Sequence, residues 1–172
     1  MKKSSKIALS LILLVVAYVA CLYIITGRNP ASYSHQDGIN LIRRLQNDVA
    51  NKNEGDIISQ ISPDAGTKVA NMRVPELRKL LARAFFAMKN PRAEVTNLRI
   101  SLDGNEAVIS GNLSITDAGN DYMSQISQGH IILYLEPTKV PQFYGLYSTT
   151  KWRIIQVTWS GEDPSKYMDD TE

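Results

Sequence analysis

The sequence has 172 residues, with 19 Lys and Arg against 17 Asp and Glu, a formal net charge of +2, one cysteine and two histidines. A single cysteine excludes an internal disulfide and a cysteine-based zinc site, and two histidines far apart argue against a histidine-rich metal site. Lys2, Lys3 and Lys6 account for the positive excess, so the rest of the chain is nearly neutral and its charge gives no argument for nucleic-acid binding.

The first predicted element is a membrane-spanning helix. The three lysines precede an uncharged, mostly apolar run over residues 7–26. A helix of that length rises about 30 Å, the thickness of the hydrocarbon core of a bilayer. Positive charge marks the cytoplasmic end of such helices. We therefore expect residues 1–27 to be a signal-anchor in the bacterial cytoplasmic membrane, with the N-terminus in the cytoplasm and the C-terminal domain outside it, in the periplasm.

Two other fates of this segment stay open. A cleaved secretory signal has an apolar region of about 7–15 residues, whereas this one continues through Ile25. Val19, Ala20 and Cys21 resemble the lipid-attachment site of bacterial lipoproteins, although Tyr18 stands where leucine is usual. The sequence predicts a retained helix in contact with the lipid bilayer, with cleavage and lipidation at Cys21 as the alternatives.

Three segments are predicted after the anchor. Residues 28–33 form a linker, residues 34–161 a single folded domain, and residues 162–172 an acidic flexible tail. A domain of this length can bury a sizeable core.

Helices come first in the domain. One is predicted to begin at Ser34, with Asp37 at the spacing of a capping box, and apolar residues recur along it every three or four positions. Asp56 is predicted to cap a short second helix. A third helix is predicted to begin at Val74, because proline at the next position is tolerated in a first turn.

The apolar period then changes to the two-residue period of β-strands. Alternation over residues 98–102, the turn signal Asp103-Gly104 and alternation over residues 109–115 predict a hairpin, and strands at 129–136 and 151–160 follow. The pattern predicts an α+β domain, with three helices packed on an antiparallel sheet of about four strands. The strand residues expected to face the core are Leu98, Ile100, Leu102, Ile109, Leu113, Ile115, Ile131, Leu133, Leu135, Ile155, Val157 and Trp159.

Three passages are similar to the nuclear transport factor 2-like superfamily, whose cystatin-like α+β cone is shared by SnoaL-like polyketide cyclases and ketosteroid isomerase. They are residues 50–65, the hairpin over residues 94–111 and the final strand over residues 151–157. The resemblance covers most of the domain and implies a curved sheet around an apolar cone. It does not imply one activity, because this fold hosts enzymes, binding modules and scaffolds.

No catalytic, cofactor-binding or metal-binding residue is predicted. The strand positions expected to face the core do not titrate, and most carboxylates fall in turns, at helix caps or in the tail. His130, Tyr134 and Glu136 alternate on one strand face, and they would form the polar lining of a pocket if the inside and outside faces were exchanged.

The outer face of the sheet carries a predicted interface. Ile132, Tyr134, Trp152 and Ile154 are expected to form an apolar patch on neighbouring strands. Exposed apolar patches commonly mark interfaces. We therefore expect a homodimer or a membrane-protein partner here, with cover by the loop over residues 137–150 or by the C-terminal tail as the alternative.

The sequence thus predicts a membrane-anchored, extracytoplasmic binding or scaffolding domain without catalytic activity. One alternative is a small apolar-ligand binder, or a cyclase or isomerase, that uses the cone. A second is a component of an envelope secretion complex, although the Asn-Pro-x-Gly motif of the membrane-anchored secretion scaffold that resembles it is missing. A cone filled by side chains such as Phe85, Phe86 and Met88 would favour a scaffold, and an open cavity containing convergent Asp, His or Tyr side chains would favour a ligand or a substrate.

Overall fold

The computed structural model describes residues 32–63, 68–69, 72–119, 124–142 and 147–161. The predicted membrane anchor, with Cys21, and the predicted tail 162–172 lie outside these residues. Within the described ranges, no helix combines the length and the apolar character needed to cross a bilayer.

The chain divides into two compact units. One comprises Ser32–Pro137 together with the residues from Trp152 onward, and the other includes Thr138–Lys151. The helices, the core, the cavity and the two depressions described below belong to the first unit.

Three helices are described. They are α1 (His35–Ala50), α2 (Glu54–Ser59) and α3 (Val74–Ala87). The predicted capping box of α1 is confirmed, because the Asp37 backbone N–H donates to Ser34 Oγ over 3.2 Å and the Ser34 N–H donates to Asp37 Oδ2 over 2.9 Å. Asp56 does not cap α2. That helix begins two residues earlier, so Asn53 is its N-cap and Asp56 lies in the first turn.

The strands form one sheet in the order β1-β5-β4-β3-β2. Their bounds are β1 Lys68–Val69, β2 Pro91–Asp103, β3 Glu106–Asp117, β4 Ser124–Gln142 and β5 Tyr147–Gly161. The predicted α+β class, with an antiparallel sheet of four long strands, is confirmed. β1 pairs in parallel with β5 and was not predicted, because two residues are too few to show an alternating pattern.

The core lies between the helices and one face of the sheet. α1 approaches the sheet at Gly38, where a Cβ atom would come within 2.7 Å of Ile100 Cδ1. Only glycine fits this close approach without a shift of its neighbour. The buried cluster of apolar residues comprises Leu41, Ile42, Ile61, Leu77, Ala107, Ile109, Leu133, Leu135 and Ile154.

Two predictions of which residues face the core are wrong. Leu102 lies one residue before the hairpin turn and is 39% exposed. Ile154 is 3% exposed in the core, where Ile155 was expected. Ile154, Val157 and Trp159 all line one cavity, so the alternation of faces along β5 breaks between Ile154 and Val157. A strict two-residue period therefore assigns this part of β5 to the wrong face.

Trp152 also departs from its predicted position on the outer face. It packs against the core, and its ring centroid lies 4.9 Å from that of Tyr33. Burial, followed by the negative charge of Asp37, raises the pKa of the Tyr33 hydroxyl to about 12. The contact of Tyr33 with Trp152 joins the segment before α1 to the sheet.

Asp117, at the end of β3, fixes the turn after α3. Its carboxylate accepts hydrogen bonds from the backbone N–H groups of Lys89, over 3.0 Å, and Asn90, over 2.7 Å. Lys52 Nζ donates to the carbonyl oxygen of Met88 in the same turn. Burial raises the pKa of Asp117, but the two N–H groups and the charge of Lys52 outweigh it, so that the pKa is lowered.

We expect Asp117→Asn to reduce the acid sensitivity of the fold. A carboxyl group whose pKa is lowered on folding stabilises the protein above its ordinary value of 3.8 and loses that contribution as the pH falls through the folded-state value. At neutral pH the substitution should cost of the order of 1 kcal/mol, because the site is partly exposed. Urea unfolding between neutral pH and pH 3 measures both effects. Identical acid slopes for the variant and the wild type would contradict this assignment.

Candidate functional site

A cavity of about 280 Å³ lies between the helices and the sheet. α1 contributes residues at positions i, i+3, i+4 and i+7, which form one helical face. The strands contribute alternate residues from their core-facing side. The described side chains that line the cavity are Ile42, Leu45, Gln46, Val49, Ile57, Ile61, Met72, Leu77, Leu80, Leu81, Ala93, Val95, Leu113, Ile115, Ser127, Ile131, Leu133, Ile154, Val157 and Trp159.

The Trp159 ring forms part of the cavity wall because β4 has a glycine beside it. A Cβ atom at Gly129 would lie 2.7 Å from Trp159 Cζ2 and 2.6 Å from the Cα atom of Gly161. Because neither Gly129 nor Gly161 has a side chain, β4 and β5 approach closely here and leave space for the indole ring of Trp159. Any larger residue at position 129 would move this wall.

The described lining is almost wholly apolar. Gln46 on α1 and Ser127 on β4 are its only polar side chains, and Ser127 is 1% exposed. None of the described lining residues carries a carboxyl, imidazole, amine, thiol or phenol group. These residues offer dispersion contacts and burial of apolar surface, and they offer no group for general acid–base catalysis.

The aromatic residues expected to fill a scaffold-type cone do not fill it. Phe86 on α3 is 94% exposed, and Phe85 is buried but does not line the cavity. Met88 follows the last residue of α3 and is also absent from the lining. None of these three side chains therefore fills the cone.

The predicted polar lining residues lie on the other face of the sheet. Because Ile131, Leu133 and Leu135 face the core, His130 and Tyr134 point away from it. His130 is exposed, and its Nδ1 lies 3.1 Å from Asn112 Oδ1.

Tyr134 and Glu136 line a separate depression beside Gln156. The structure therefore does not bring His130, Tyr134 and Glu136 into one site. Among the described residues, no group of three or more His, Cys, Asp or Glu side chains could hold a metal ion.

The predicted apolar patch is reduced to two of its four members. Ile132 and Tyr134 lie on the outer face and are partly exposed, whereas Ile154 belongs to the core and Trp152 packs against it. Ile155 takes the outward position on β5. An interface through Ile132 and Tyr134 stays a prediction.

One wall of the cavity was not predicted from the sequence. Ala93 and Val95 on β2 pair with Ile115 and Leu113 on β3 and line the cavity with them. The sequence does contain the alternating pattern of a strand here, because Ala93 and Val95 alternate with polar residues just before the predicted start of the strand. Gln46 lies four residues after Ile42, on the same face of α1. Because its side chain is polar, the pattern of apolar residues did not predict that it lines the cavity.

No family model and no curated protein matches this sequence. Solved structures do match it. A nuclear transport factor 2-like superfamily protein from Salmonella enterica is 16% identical, with a TM-score of 0.57, over 74% of this chain and 90% of that one. A nuclear transport factor 2-like protein with a cystatin-like fold from Novosphingobium aromaticivorans is 12% identical, with a TM-score of 0.55, over 98% and 96%.

A third match, a protein from Bdellovibrio bacteriovorus, is 10% identical with a TM-score of 0.56. The match covers 74% of this chain and only 41% of the Bdellovibrio protein. Identities this low carry no information on ligand or activity. The structural matches show that this chain has the nuclear transport factor 2-like, cystatin-like fold.

Proposed function

We propose that this domain binds a small apolar molecule inside the cone and holds it without catalysing a reaction. The observation that carries the proposal is the cavity of about 280 Å³, whose described lining is apolar except for Gln46 and Ser127. An acid–base reaction of the isomerase type needs titratable groups at the substrate, and the described lining supplies none.

The energetics of the cavity favour an occupant. An apolar cavity of about 150 Å³ stays dry and binds benzene, and this one is larger. Unfilled apolar volume costs stability at roughly 24 cal/mol per Å³. A ligand that fills the cavity therefore restores contacts that the side chains do not make with one another. Gln46 and Ser127 offer such a ligand at most a few hydrogen bonds.

The proposal also places the domain at the bacterial cytoplasmic membrane, anchored through residues 7–26. The lysines before this apolar run and its length support the anchor. Apolar molecules concentrate in a bilayer, so an anchored domain meets them at a high local concentration. The binding of an apolar ligand and attachment to a membrane are therefore compatible roles.

Fluorescence of Trp159 provides the test, because the chain has two tryptophans and only this one lines the cavity. We expect bromobenzene to quench Trp159 saturably in the full-length Trp152→Phe chain held in lipid nanodiscs. Ala93→Phe should weaken this quenching about tenfold, a loss of about 1.4 kcal/mol of binding free energy, because the phenylalanine ring occupies volume that the ligand needs. Unbrominated benzene, which binds without quenching, should compete.

The matched control is Ala82→Phe, the same substitution on the exposed surface of α3. It adds an equal amount of apolar surface outside the cavity and should leave quenching unchanged. Quenching that rises without saturation, or that both phenylalanine variants weaken equally, would overturn the proposal.

A further inference from the structure

A second concave site lies on the opposite face of the sheet from the apolar cavity. It is a depression of about 430 Å³ over β2, β3 and β4, and it shares no lining residue with the cavity. Its lining residues are Asn97, Leu98, Arg99, Ser110, Asn112 and His130. Five of these six side chains are polar, which is the reverse of the composition of the cavity.

A bulge in β2 builds this depression. The ladder pairs Thr96 with Asn112 and then Arg99 with Ser110, so two β2 residues lie opposite one residue of β3. The first of the two, Asn97, has a φ of 53°, in the left-handed region that asparagine adopts more readily than most residues. Bulges bend a strand and redirect its side chains. This one places Arg99 opposite Ser110, where regular pairing would have placed Leu98, and both Asn97 and Arg99 line the depression.

The side chains in the depression are mainly hydrogen-bond donors. Arg99 carries five N–H donors on a permanent positive charge. His130 Nδ1 lies 3.1 Å from Asn112 Oδ1, and the ring donates this bond in the tautomer that carries a proton on Nδ1. The Asn112 NH₂ group is thereby oriented for a different acceptor. Ser110 and Asn97 add a hydroxyl and an amide.

Among the described residues, no carboxylate lies within salt-bridge distance of Arg99, and none lines the depression. By contrast, Arg78 on α3 is paired with Glu54 at 3.5 Å. A guanidinium group beside several neutral donors is the arrangement that binds carboxylate and phosphate oxygens, often in a bidentate way.

We infer that this depression binds the oxyanion group, phosphate or carboxylate, of a small molecule. Arg99 supplies the charge, and Asn97, Ser110 and Asn112 supply neutral donors around it. This site is independent of the apolar cavity. A result against ligand binding in the cavity would therefore not count against anion binding here, and the reverse also holds. The outer face of the sheet thus binds a polar ligand, and the cone binds an apolar one.

The test titrates the full chain in nanodiscs of neutral lipid with inorganic phosphate and, separately, with acetate. Backbone amide NMR shifts of Arg99 and Ser110 report binding. We expect at least one of the two anions to bind saturably, and Arg99→Gln to weaken that binding about tenfold, as expected for loss of a charge-assisted bidentate pair. The matched control, Arg92→Gln, removes an exposed arginine from the same strand outside the depression and should leave binding unchanged.

Asn97→Gly provides a second variant, because glycine keeps the left-handed backbone of the bulge while removing the amide. It should weaken binding several-fold with an unchanged unfolding transition. Saturation by phosphate alone assigns a phosphate ligand, and saturation by acetate alone assigns a carboxylate. Failure of both anions to saturate would overturn the inference, as would equal weakening by Arg92→Gln and Arg99→Gln.

Discussion

Leu135→Ala is expected to lower the free energy of unfolding by about 3–4 kcal/mol. Leu135 is 1% exposed at the centre of β4 and belongs to the core without lining the cavity. Its methyl groups are therefore surrounded by neighbours, and truncation leaves a void that the neighbouring strands cannot close. Urea unfolding of the variant against the wild type measures the loss.

The informative control is Leu80→Ala on the helical wall of the cavity. Leu80 is partly exposed and already borders empty volume, so it has fewer contacts to lose. We expect a loss of about 1 kcal/mol there. Equal losses at Leu80 and Leu135 would mean that the two sites are equally packed, which contradicts a hollow cone.

Gly129→Ala is expected to give the second large effect, a destabilisation of about 2–3 kcal/mol. A Cβ atom at this position would lie 2.6 Å from Gly161 Cα and 2.7 Å from the carbonyl oxygen of Ser160. These are backbone atoms, so no change of rotamer relieves the clash and β5 itself must shift. The Trp159 ring, 2.7 Å from the same position, would move with it and reshape the cavity wall.

Gly55→Ala is the matched control for this substitution. Gly55 lies in α2, where a Cβ atom would have no neighbour within 4 Å. Alanine should stabilise the protein there by about 0.5–1 kcal/mol, because it loses less conformational freedom on folding. Thermal unfolding of the two variants should thus shift in opposite directions. A Gly129→Ala variant as stable as the wild type would contradict the close approach of β4 and β5.

The sequence is sufficient to predict the parts of this fold that local chemistry determines. The capping box at Ser34 and the hairpin between β2 and β3 follow from short patterns in which each residue has one structural role. β5 is different. The break in its alternation between Ile154 and Val157 depends on how the strand meets its neighbours, and no residue between them marks it.

The candidate site was predictable in composition but not in shape. Leu113, Ile131 and Leu133 were predicted to face the core, and all three line the cavity. Whether such residues touch one another or surround a void depends on the distance between the helices and the sheet, which periodicity does not encode. Phe86 illustrates this, because its helix turns it to solvent rather than into the cone.

The two candidate sites lie on opposite faces of the sheet and differ in polarity. On one face, apolar side chains surround a volume with two polar groups, and on the other Arg99 and its neighbours present donors to solvent. Together, the two proposed sites would allow the domain to hold two unlike ligands. The fold it shares with its structural matches is compatible with that role and does not determine it.

Quenching of Trp159 by bromobenzene in the Trp152→Phe chain reports directly on whether the cone is hollow, and we expect it to saturate. A hollow apolar cone predicts that Ala93→Phe weakens the quenching about tenfold while Ala82→Phe leaves it unchanged. Two results would show that the cone does not bind an apolar ligand. One is quenching that does not saturate, and the other is equally strong quenching in the Ala93→Phe and Ala82→Phe variants.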